Sequence, residues 1–308
     1  MSTGLPSGLS PGEKQPSFEA RIAVRNTTDP HHVDEAGAPF YTHLRSAEAI
    51  VDFRVRALSR AYAQYTTTRD GAAPEPEVAG RGLLVLQRAF LMVEDLGGLM
   101  YAVLGTDPWS RLTSYYSPQL DEVFGSVLDG RQDVGEILLL PTDEQLAASA
   151  KLSDQRTSAI ARNLRDLTLA EVEPLFQFAA TFWLAHHDAA KSTMHGFGVV
   201  AAEHLIAPPG GGELSEIVPI DGPRPFAIAL VTREAQRTAE TTYHPLDLTP
   251  GNVEMVQSTG LAAGELYRLV ARAHRGTIRR GHSWTLPDAY AQKLSAADQQ
   301  ILREAARE

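Results

Sequence analysis

The sequence predicts a mainly α protein, a multi-helix bundle carrying a small β element. Three observations point there. Apolar residues recur at helical spacing through most of residues 40–207 and again from 250 onward. One segment, about 77–104, is apolar on most sides through LLVLQRAFLMVEDLGGLMYAVL, which is how a central, buried helix reads. Strand-type patterning is confined to short runs near 18–26, 225–232 and 241–248.

Residues 1–39 read as a flexible N-terminal arm with one strand. Residues 1–17 are rich in Ser, Gly and Pro. In FEARIAVRN, Phe18, Ala20, Ile22 and Val24 alternate with Glu19, Arg21 and Arg25, the period of two that marks a half-buried strand. From Phe40 the period changes. Ile50, Phe53, Ala57, Ala61 and Tyr65 form a helical stripe, with Arg45, Glu48, Asp52, Arg56 and Arg60 elsewhere round the cylinder. TTTRDGAAPEPE breaks that helix. In the next one Gly97-Gly98 costs about 1 kcal/mol per residue relative to alanine, so close packing or a kink is expected there.

Shorter helices follow at about 108–116, 118–129, 142–151 and 154–166, the third opened by Thr142 and Gln145 at capping-box spacing. Thr168 and Glu171 repeat that spacing at the start of a long helix running to about His195, where Gly196 and Gly198 allow it to stop or bend. PPGGG at 208–212 ends the helical core of residues 40–207. In the remainder, 208–308, PFAIALVT and TTYHPLDL are a candidate strand pair that the 18–26 strand could join. C-terminal helices are expected at about 250–257, 261–280 and 287–306, and this part packs on the core as one domain.

Composition bounds the function. A formal net charge of −10 argues against nonspecific nucleic-acid or anionic-membrane binding by the whole surface. With no cysteine, disulfides, thiolate metal sites and a Cys nucleophile are excluded. The N-terminus lacks the basic and apolar regions of a secretory signal. Gln87, Arg88, Glu94 and Asp95 interrupt the most apolar run, too many polar groups for a membrane span. A cytoplasmic location is expected.

Four of the ten histidines, His186, His187, His195 and His204, crowd the stretch that also holds Asp188, Lys191 and Glu203. A helix turns about 100° per residue, so His187 and Lys191 share a face and Asp188 reaches Lys191 at i+3. The sequence HDAAK resembles the His-Asp dyad and following lysine of HD-domain metal-dependent phosphohydrolases. In that family the dyad binds a divalent metal that activates water against a phosphate ester. The resemblance implies His187 and Asp188 as metal ligands and Lys191 as a phosphate contact. The family's pattern also has a histidine one helix upstream, whereas no histidine lies between His43 and His186 here. His195 is about 12 Å along a helix from His187, too far to share one metal. The same residues also read as the polar end of a buried helix.

Glu94 and Asp95 lie in the most apolar helix, where a carboxylate must be paired, hydrogen-bonded or protonated. Gln87 and Arg88 offer local partners. Packing of that helix on the 168–195 helix would instead let Glu94 or Asp95 meet His187 or Lys191, making a polar ligand pocket of Glu94, Asp95, His186 and His195. A third candidate is the row Arg268, Arg272, Arg275 and Arg279, one face of a helix opposite Leu266, Leu269, Val270 and Ala273, suited to phosphates or an acidic partner. His31, His32, Asp34 and Glu35 read as a water-facing loop, PPGGGE as a linker, and Ser192 lacks a nucleophile-elbow context.

Two function classes remain open. One is a noncatalytic protein binding an acidic protein or a small phosphate-bearing ligand, with a homodimer plausible through the 18–26 strand. The other is a metal-dependent hydrolase of a phosphate-containing substrate acting through His187, Asp188 and a carboxylate from Glu94 or Asp95.

Overall fold

In the computed structural model, residues 22–24, 38–148, 155–194, 199–200, 204–206, 217–219, 226–235, 238–277, 282–284 and 295–298 are described. Eight helices are defined among them: α1 (Ala38–Asp70), α2 (Glu75–Val103), α3 (Pro108–Ser114), α4 (Ser117–Leu128), α5 (Val134–Ile137), α6 (Asp143–Ala148), α7 (Gln155–Met194) and α8 (Pro250–Thr277). The strands are β1 (Ile22–Val24), β2 (Val199–Val200), β3 (His204–Ile206), β4 (Ile217–Pro219), β5 (Phe226–Ala235), β6 (Thr238–Asp247) and β7 (His282–Trp284). The protein is a mainly α, multi-helix fold. Among the described residues no helix is long and apolar enough to cross a membrane.

The first two helices form an antiparallel pair joined by a four-residue turn at 71–74. The core face of α1 is Phe40, Leu44, Ala47, Val51, Leu58, Ala61 and Tyr65. That stripe is rotated from the expected one: Phe53 is 64% exposed. The neighbours explain the rotation, because α1 packs against both α2 and α8 and turns its longer apolar row, 44–47–51–58, into them. The central helix is α2, as its all-round apolarity requires. It contacts α1, α3, α4, α7 and α8.

Gly97 and Gly98 are close-packing sites. A Cβ on Gly97 would stand 2.6 Å from the Phe124 ring, and one on Gly98 2.6 Å from the Tyr115 ring. The absent side chains are the seats of two aromatics. The two apolar helices lie side by side, as expected: Phe90 of α2 meets Phe182 and Trp183 of α7 at ring separations of 5.1 and 5.6 Å.

Two expected helix breaks are continuous instead. The 154–166 and 168–195 segments merge in α7, because Ile160, Ala161, Leu164, Thr168, Val172 and Phe176 form one unbroken buried stripe. Thr168 is therefore no cap; its hydroxyl donates back to the Leu164 carbonyl at 2.8 Å. Pro174 is tolerated on the exposed face, where the carbonyl it leaves unpaired meets water. Likewise 250–257 and 261–280 are one helix, α8, with Gly260 a contact point inside it. The Thr142 box does form: the Thr142 amide donates to Gln145 Oε1 at 2.9 Å and the Gln145 amide to Thr142 Oγ1 at 3.2 Å.

The two strands expected in the second half pair antiparallel, from Phe226 opposite Asp247 to Ala235 opposite Thr238. Pro245 fits because β6 is an edge among the described strands, the order being β2-β5-β6. The N-terminal strand joins a different partner: Ile22–Val24 pairs with β7, not with this hairpin. The hairpin rests on α7 and α2 through β5. His31, His32, Asp34, Glu35, His195, Glu203, Arg279, the PPGGGE segment and most of 287–306 lie outside the described residues.

Candidate functional site

A groove of about 270 Å³ runs between α1 and α2. Its floor is Ala57, Ala61 and Leu84, and Arg56, Arg60, Arg88, Gln64 and Phe53 stand round it. The local sequence explains the shape. Ala57 and Ala61 are one turn apart on α1 and too short to fill the space opposite Leu84. Arg56 and Arg60 follow the same one-turn spacing on the exposed side, while Arg88 reaches in from α2, level with Ala57 in the antiparallel pair. Arg81 extends the basic edge and donates to Gln64 Oε1 at 3.4 Å. Among the described residues no acid lines the groove, and Arg56, Arg60 and Arg88 make no ion pair.

The row on α8 differs. Arg268, only 13% exposed, is held by Glu48 at 3.2 Å, by Asp52 at 2.6 Å and by Glu265. Arg272 pairs with Glu48 at 2.7 Å. These two guanidiniums clamp α8 to α1, and their charge is answered within the fold. Arg275 is half-buried beside them. Arg268 and Arg272, expected to face phosphates or an acidic partner, thus belong to an inter-helix ion-pair network, and the arginines that face a groove without acids among the described residues are on α1 and α2.

Asp95 and the imidazoles of α7 are held by different partners. Five residues beyond Phe90, which faces α7, Asp95 lies about 140° round the cylinder and points to α1. There Arg54 Nε donates to Asp95 Oδ2 at 3.0 Å. Burial raises the Asp95 pKa, against the pull of Arg54. Nearby, His43 Nε2 and the Tyr267 hydroxyl are hydrogen-bonded at 2.5 Å. Burial lowers His43, raises Tyr267, and, reinforced by the Glu94 and Asp95 charges, pushes Tyr115 up to about 12. The space between Arg54, Asp95 and Tyr267 is about 10 Å³. That is room for one water at most, so this network ties helices together and admits no substrate.

His187 stacks on Trp183 at 5.8 Å and stands 3.2 Å from Asp188 and 3.6 Å from Asp121. Trp183 Nε1 donates to Asp121 at 2.7 Å, so α4 fixes this end of α7. His186 packs edge-on against Phe182, and burial lowers its pKa. Lys191 is half-buried one turn on. Among the described residues no three His, Asp or Glu side chains are placed to hold a metal ion.

Sequence reading missed the groove because it assigned Phe53 and Ala57 to the core stripe. The available signal was the pair of basic spacings, Arg56 with Arg60 and Arg81 with Arg88, on helices joined by a short turn. No family model, curated protein or solved structure matches the chain.

Proposed function

We propose that this is a noncatalytic binding protein that receives the anionic groups of an acidic ligand in the α1–α2 groove. One observation carries the reading: Arg56, Arg60 and Arg88 surround an apolar floor with no carboxylate among the described residues to answer them, while Arg268 and Arg272 already have theirs. Guanidiniums bind carboxylate and phosphate oxygens through charge-assisted hydrogen bonds, and an apolar floor lowers the local dielectric beneath them. The test is a titration of arginine-labelled protein with tripolyphosphate, followed through the guanidinium NMR resonances. Those of Arg56, Arg60 and Arg88 shift and those of Arg268 and Arg272 stay. Uniform shifts over all arginines, or none, defeat the reading.

Against the alternative, a metal-dependent hydrolase built on His187 and Asp188, stands the arrangement there: Asp121 lies 3.6 Å from His187, yet among the described residues no three His, Asp or Glu side chains are placed to hold a metal ion. Stoichiometric transition metal in the purified protein, lost in His187→Ala, reverses the preference. The cytoplasmic location expected from the composition and the homodimer expected through the 18–26 strand are separate proposals, which fractionation and sedimentation of the full chain check.

A further inference from the structure

Resting on that reading, we infer that the occupant of the groove is an acidic amphipathic helix of a partner protein. Five features of the site select it. The groove extends along α1 from Phe53 to Gln64, about 16 Å at a helical rise, or three turns of a docked helix. A lone phosphate has no use for that length.

Its basic groups are periodic. Arg56 and Arg60 are spaced to meet carboxylates four residues apart on one face of a helix, and Arg88 meets a further acid from the opposite edge. The floor supplies the apolar half of the match. Its 270 Å³ lies just below the range of small-molecule pockets, about 300–1,000 Å³, and takes one or two large apolar side chains between those acids. Phe53, 64% exposed at the groove's end, adds an aromatic contact of the kind that anchors interfaces.

The walls decide helix against extended peptide. Both are helices whose backbone groups bond internally, so neither offers a sheet edge. An extended segment laid there would turn amide groups away from water without partners, whereas a helix arrives with its own satisfied.

The experiment selects a surface-displayed library of helix-forming 16-residue peptides on the full chain, with tripolyphosphate titrated in parallel. Selected helices carry two acids four residues apart flanking a large apolar residue. They weaken tenfold or more on Arg60→Gln, on Arg88→Gln and on Ala57→Leu, which fills the floor without touching charge; Arg131→Gln, remote and paired with Asp129, leaves them unchanged. Circular dichroism confirms that each variant is folded. Helices without acids, helices indifferent to the arginine variants, or no selected helix at all overturn the proposal. If tripolyphosphate still requires Arg56, Arg60 and Arg88 in that case, the anion site stands and only the helical partner falls. If nothing requires them, both fall.

Discussion

Burial acts on single residues here through their protons. His43 and His186 are enclosed by helices that disfavour the imidazolium, so both titrate below the ordinary histidine value of 6.5. The sign follows. Between 6.5 and those lower folded values the unfolded chain binds protons that the folded chain refuses, so stability falls as pH drops through that window and is intact above it. The urea midpoint is expected to be lower at about pH 5.5 than at about pH 7.5. The gap narrows in His186→Gln, whose side chain does not titrate, and an unchanged gap assigns the slope to other groups. Asp95 acts with the opposite sign, its raised pKa favouring the folded state only while it is protonated.

At the level of elements, α8 is fitted onto its neighbours by two glycines one turn apart. A Cβ on Gly260 would stand 2.9 Å from the Ala89 Cα, a backbone atom that cannot move aside. A Cβ on Gly264 would stand 2.5 Å from Met92 Cε, the free end of a flexible side chain. The shorter distance is the cheaper clash. Alanine improves an exposed helix by about 1 kcal/mol, while overpacking costs about 1–3 kcal/mol. Gly260→Ala therefore lowers the urea midpoint by about 1–2 kcal/mol equivalent, and Gly264→Ala lies within about 1 kcal/mol of the parent. A larger loss at Gly264 than at Gly260 contradicts this account. The same contrast explains why neither glycine ends the helix: each is an approach point inside a continuous stripe.

Over the whole molecule the charge and the candidate site have opposite signs. The chain carries −10, yet its groove is basic. An acidic partner is repelled at long range and held at short range. Salt separates the two, since the Debye length falls from about 30 Å at 0.01 M to about 10 Å at 0.1 M. With a selected acidic helix as probe, stopped-flow association does not slow over that interval, and dissociation quickens. Association that slows steeply with added salt means the field of the groove dominates at a distance and refutes this balance.

By itself the sequence determined element types and most of the core, because the period of apolar residues is a local property. It marked α2 as central, placed Gly97 and Gly98 at close contacts, and paired 225–232 with 241–248. It placed an acidic-ligand surface on α8 because charge spacing within one helix is all that a linear reading sees. Only the tertiary structure could show that Asp52 lies 216 positions from Arg268 in the chain but 2.6 Å from it in space. The same folding rotated α1 so that Phe53 faces outward beside Arg56 and Arg60. A charge is free or answered according to neighbours that the fold brings in from distant segments, and no spacing along one strand of text encodes them.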